Sequence, residues 1–152
     1  MQGSATQFFP GTGATVSAMN NLTINNLFGV NLNNSLNIGG TLNLNAGVFT
    51  VGAYTLTLNN PITGILSNFS ANNTSSIVIA GTAAGVNIPS VVSQLKSLSV
   101  TNTVGTTLQS NLNVSTALFI SNGVVKDNQF VLNGTANVTM TGGTLDLEQN
   151  TA

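Results

Sequence analysis

The sequence predicts an all-β chain wound as a parallel β-helix, a β-solenoid with coils of about 19 residues. Three observations predict it. Apolar residues open short blocks at Leu36, Leu42, Val48 and Tyr54, a step of six. Within Leu36-Asn-Ile38, Leu42-Asn-Leu44 and Thr55-Leu-Thr-Leu58, apolar and polar residues alternate, as in a strand with one buried side. The stretch then returns without a gap, every position number raised by 76, as Leu112-Asn-Val114, Leu118-Phe-Ile120, Val124-Val125 and Phe130-Val-Leu132. Blocks this short fit successive faces of a winding chain, three six-residue faces and a corner to a coil. On that scheme the 76-residue period divides into four coils, the fixed-period signature of a solenoid. The alternative is tandem small β-sandwich domains, which call for strands of about five to seven residues and hairpin turns. Here most blocks hold three or four residues, and only Asn122-Gly123 and Asn133-Gly134 carry a hairpin signal.

The chain divides into a junction or partial repeat (1–21), a first module (22–97) and a truncated second module (98–152), all in one continuous solenoid. Pro10 ends the Phe8-Phe9 block, because proline donates no ladder hydrogen bond. A related segment, Gly81 to Pro89, aligns with it only through a small gap. Leu22-Thr-Ile24 is a strand. Asn25-Asn26 is read as a turn, since asparagine tolerates the left-handed region. Gly29 marks another turn, and Gly39-Gly40 and Gly47 punctuate the six-step run. Asn60-Pro61 is a further turn signal. Ile77-Val-Ile79 is a fully apolar strand, and residues 91–95 are expected as loop or edge.

In the second module Leu98, Val100, Asn102, Gly105, Leu108, Leu112, Val114, Leu118, Ile120, Gly123, Val124 and Leu132 repeat residues of the first at one constant offset. Val51 becomes Asp127, which predicts that this position lies outside the core. Residues 133–152 open another strand series with Val138, Met140, Leu145 and Leu147. Both ends of the chain look like cuts in a longer array.

Only 3% of the residues are charged, against about 25% in ordinary domains. Lys96, Lys126, Asp127, Asp146 and Glu148 are the whole set. Without a basic patch, nucleic acid is not expected as a partner. The 24 asparagines and the threonines carry the polar load. In stacked coils equivalent residues lie about 4.8 Å apart, where like charges repel by roughly 1 kcal/mol in water and more near a low-dielectric surface. Uncharged Asn and Thr avoid that cost, and asparagine ladders are expected along the stack. There is no cysteine, so burial and backbone pairing alone must hold the fold. No run of apolar residues is long enough for a membrane-spanning helix.

No catalytic, cofactor-binding or metal-binding residue is assigned. His and Cys are absent, which removes the usual triads and soft metal sites. Asp146 and Glu148 stand two apart on one strand face, but no second group accompanies them. Asp127, Asn128 and Asp146 could offer oxygens to calcium, yet no repeated glycine-aspartate loop supports it. Gly11-Thr-Gly13 lacks the lysine and the helix of a phosphate loop. The aromatics are expected in core or corner packing, with an exposed sugar-binding row as the lesser reading. Asn-x-Ser/Thr sequons at Asn21, Asn33, Asn68, Asn113, Asn133 and Asn137 are expected by chance in such a composition.

Gln7-Phe-Phe-Pro10, Asn20 to Asn26, Gly29-Val-Asn-Leu32, Leu36 to Leu44, Gly47-Val48 and Thr55-Leu-Thr-Leu58 together resemble the β-strand-repeat surface proteins of Bacteroidetes. The resemblance covers roughly positions 1–60 and, more loosely, positions 89–132. It implies an exported, cell-surface, non-enzymatic stalk or adhesive fibre, and it carries over no functional residue. The expected role is a structural component of an extracellular fibre or adhesin stalk. Its partners would be neighbouring modules or copies of itself end to end, with surface glycans as a further expected partner. The alternatives are a carbohydrate- or ice-binding solenoid and a functional amyloid-like filament subunit.

Overall fold

The computed structural model describes residues 3–11 and 16–148; Met1, Gly13 and residues 149–152 lie outside them. The chain is a parallel β-solenoid of about seven turns, with about 20 residues per turn. Each turn has three faces. In the first full coil these are Leu22–Asn25, Val30–Leu32 and Leu36–Ile38, and in the next Leu42–Ala46, Phe49–Thr50 and Thr55–Leu58. These strands pair in parallel with their counterparts one coil away. The third face is the longest. Ala18, Asn37, Thr57, Val78, Ser99, Phe119 and Thr139 stack across it, one from each coil.

Period-two alternation decides which side chains enter. Leu22 and Ile24 point in while Thr23 and Asn25 point out, and the same holds for Leu36 and Ile38 around Asn37. The inward residues form continuous columns. Leu36, Leu56, Ile77, Leu98 and Leu118 make one, and Ile38, Leu58, Ile79, Val100 and Ile120 make another. On the second face Val30 stacks on Phe49 and Phe49 on Phe69, with the two rings 6.3 Å apart. Each fully buried aliphatic side chain contributes about 1.5–3 kcal/mol. Parallel ladders along the axis satisfy the backbone of every covered strand.

Register corrects the four-coil division of the 76-residue repeat. Leu22 lies on the first face, paired with Leu42, but its counterpart Leu98 lies on the third, paired with Ile77 and Leu118. Val30–Leu32 lies on the second face, but its counterpart region Gly105–Thr107 lies on the first, where the Thr106 hydroxyl donates to the Val86 carbonyl (3.0 Å). The repeat therefore spans three and two-thirds turns, counted from Leu22 through the third-face strands at Leu36, Leu56, Ile77 and Leu98. The second module is the first one rotated by one face. The reason is that a coil holds about 20 residues, slightly more than the spacing of the blocks predicts.

Two local expectations also change. Residues 94 and 95 are not loop; they begin the strand Gln94–Val100. That strand turns from the second face to the third at a bulge between Leu95 and Ser97, which bends it around the corner. Asn26 is no left-handed turn residue. Among the described non-glycine residues only Asn128 and Gln129 have positive φ, and Asn26 is buried.

Candidate functional site

Asn26 and Asn102 are equivalent in the repeat, Asn26 at the corner between the first and second faces and Asn102 at the corner between the third and first. The Asn102 amide donates to the Ala80 and Ala83 carbonyls (2.8 and 3.0 Å) on the coil below. Its Oδ1 accepts from the Val104 and Gly105 amides (2.8 and 2.9 Å). Asn26 donates to the Ala5 and Gly29 carbonyls (2.8 and 3.0 Å) and accepts from the Phe28 amide (3.1 Å). Each side chain closes its own turn and clasps the previous coil. A glycine of the next coil lies against each corner. A Cβ on Gly47 would strike the Asn26 carbonyl oxygen, and one on Gly123 the Asn102 carbonyl oxygen; both glycines have positive φ. The signal was in the sequence as Asn-x-x-Gly, at Asn26–Gly29 and Asn102–Gly105. Recognising it required knowing that the corner was buried.

Full asparagine ladders are sparse. Asn59 donates to Asn37 (2.7 Å) and Asn113 to Asn133 (3.1 Å). More often a side chain on one coil accepts from a backbone amide of the next: Asn21 from Thr41, Ser35 from Thr55, Asn87 from Thr107 and Asn111 from Val131. Uncharged polar residues do bridge the coils, but mainly by filling backbone valences at corners where the ladder is interrupted.

The carboxylates gather near the last described coil. Asp127 is buried, and so is Val51 at the equivalent position, so the expectation that this site lies outside the core is wrong. The Asp127 carboxylate is accommodated because Oδ1 accepts from the Gln129 amide (3.2 Å) and from the Glu148 amide on the next coil (3.0 Å). It acts as a corner clasp, in the manner of the asparagines. Asn128 and Gln129 form the left-handed turn beside it. Asp146 is the ladder partner of Lys126, and Glu148 is exposed. Among the described residues, no group of three His, Cys, Asp or Glu side chains could hold a metal ion. No helix of the described residues is long and apolar enough to cross a membrane.

The aromatics form no single row. Phe49 and Phe69 are buried, Phe9, Tyr54, Phe119 and Phe130 are half-buried, and Phe8 and Phe28 are exposed near the first coils. The outer surface of the third face carries mostly small hydroxyl and amide residues. Thr55, Ser76, Ser97, Ala117 and Asn137 stack in one outward column, and Asn37, Thr57, Val78, Ser99, Phe119 and Thr139 in the other.

The solenoid ends differ from its middle. In the two inward columns of the third face no residue from Leu36 through Ile120 is more than 3% exposed, but the next members, Val138 and Met140, are 56% and 46% exposed. Sequence periodicity placed Val138, Met140 and Leu145 in strands, with Leu147 just past the last of them, and could not show that Val138, Met140 and Leu147 are exposed. No family model, characterised protein or solved structure matches the chain.

Proposed function

We propose that this chain is a rigid structural segment of an extracellular fibre or adhesin stalk. The observation that supports it is the pair of inward columns running unbroken from Leu36 to Ile120, with the backbone ladders along the axis. Such a segment lengthens by adding coils, about 4.8 Å each, and its side chains serve stacking. Composition fits the same role, because a nearly charge-free surface avoids repulsion between equivalent residues on successive coils. The resemblance to bacterial surface repeat proteins supports an exported location.

Tandem fusions of two and four copies test the mechanical part. Electron micrographs should show rods that lengthen by about 35 Å per copy; beads on a flexible string would reject it. Protease shaving of intact source cells tests the location. A chain cut only after lysis would reject the surface assignment.

A second reading, binding of ice or carbohydrate, is favoured by the hydroxyls of Thr55, Thr57, Ser76, Ser97 and Ser99 on the third face. Val78, Ala117 and Phe119 interrupt its outward columns. Thermal hysteresis or a glycan-array signal that vanishes in Thr57→Lys with Ser99→Lys would establish it.

A further inference from the structure

The last described coil presents a cross-section of the core. Val114, Leu118, Leu132, Val138, Leu145 and Leu147 line a hollow at its end. Residues 132–146 of this coil correspond in the repeat to residues 56–70. Those are covered by the following coil, in which Val86, Ile88, Val92 and Leu95 are buried.

A second segment of the chain matches that covering coil. Val16-Ser17-Ala-Met19 parallels Val92-Ser93-Gln-Leu95 at the 76-residue offset, and Gln7-Phe-Phe-Pro10 parallels Val86-Asn-Ile-Pro89 across the small gap. The geometry agrees. The Asn37 amide donates to the Ser17 carbonyl and the Asn113 amide to the Ser93 carbonyl, both at 2.9 Å. Ala18 pairs with Asn37 as Gln94 pairs with Asn113. Both segments thus sit alike on the coil that succeeds them. They differ on the other side: Val92 and Leu95 are covered, whereas Val16 is exposed and Phe9 and Met19 are only half-buried.

We propose that a second copy of this chain seats its first coil, through residues 7–11 and 16–19, on the last described coil of the first copy, residues 132–148, head to tail. Val16 and Met19 of the incoming copy take the places that the repeat gives to Val92 and Leu95. The inference rests on the structural role proposed for the chain and adds the partner and the register. Successive copies lie two repeats apart, twice three and two-thirds turns. Each copy is therefore turned by about a third of a revolution and raised by about 35 Å. The two surfaces differ, so the contact is heterologous and builds an open filament, not a closed dimer.

Two variants test it. Val138→Lys with Leu147→Lys charges the receiving coil, and Val16→Lys with Met19→Lys charges the incoming one; circular dichroism should show both retaining the β-fold. Mass photometry and sedimentation should find the unaltered chain in concentration-dependent oligomers. Each variant alone should be monomeric, and their equimolar mixture should stop at the heterodimer. Helical reconstruction of the unaltered filament should give a rise of about 35 Å and a turn of about 120°. An unaltered chain that stays monomeric at high micromolar concentration would overturn the interface, as would homodimers of either variant or a filament of different symmetry. If tandem fusions still form rods in that case, the structural role stands and only the interface falls.

Discussion

Leu98 and Val138 stand in the same inward column of the third face, two coils apart, with Leu118 between them. Leu98 is wholly buried, while Val138 is largely exposed. The strand pattern is the same at both sites, and so is the direction of the side chain. What differs is the coil on top. In a compact domain a side chain is buried by residues distant in sequence that converge on one centre. Here it is buried by its counterparts one coil up and one coil down, so burial belongs to the stack and not to the coil.

The contrast between covered and uncovered coils can be broken most sharply at the corners. Gly47→Ala would force a left-handed alanine against the Asn26 carbonyl oxygen. The expected loss is about 3–5 kcal/mol, read as a shift of the urea midpoint. Gly52→Ala is the control: Gly52 also has positive φ, but its Cβ would meet nothing within 4 Å, so only the backbone cost of about 1 kcal/mol should appear. Next in size is Leu98→Ala, expected to cost about 3 kcal/mol because the columns above and below cannot collapse into the void. Asn102→Ala strips two carbonyls and two amides of their partners. It should cost about 2–3 kcal/mol, with faster amide exchange at Val104 and Gly105. Val138→Ala, in the same column as Leu98, should change stability by less than about 0.5 kcal/mol in dilute monomer. Equal losses at Leu98 and Val138 would mean that the last coil is covered in solution.

Much of this architecture was readable beforehand, and the limits come from what a sequence encodes. Leu36, Ile38, Leu42 and Leu44 announced their inward direction because strand side chains alternate by local geometry alone. The 76-residue offset was visible because equivalent environments select equivalent residues. Misreadings came where environment and spacing part company. Val51 and Asp127 look incompatible as core residues, yet both are buried, because the Gln129 and Glu148 amides receive the carboxylate. The pairing with Glu148 depends on coil length, which no local pattern states. Residues 91–95 read as loop or edge, but Gln94 and Leu95 begin a long central strand on which Lys96 points outward.

The amino-acid sequence by itself determined the strand alternation, the repeat, the near absence of charge and the all-β winding, since each is a property of residues close together along the chain. Only the tertiary structure decided how many residues close a turn. That number sets the one-face rotation between modules and the partners of Asn26, Asn102 and Asp127. The physical reason is that backbone ladders choose their register between coils, about 20 residues apart, and a difference of one or two residues per coil, accumulated over a repeat, turns the next module by a whole face.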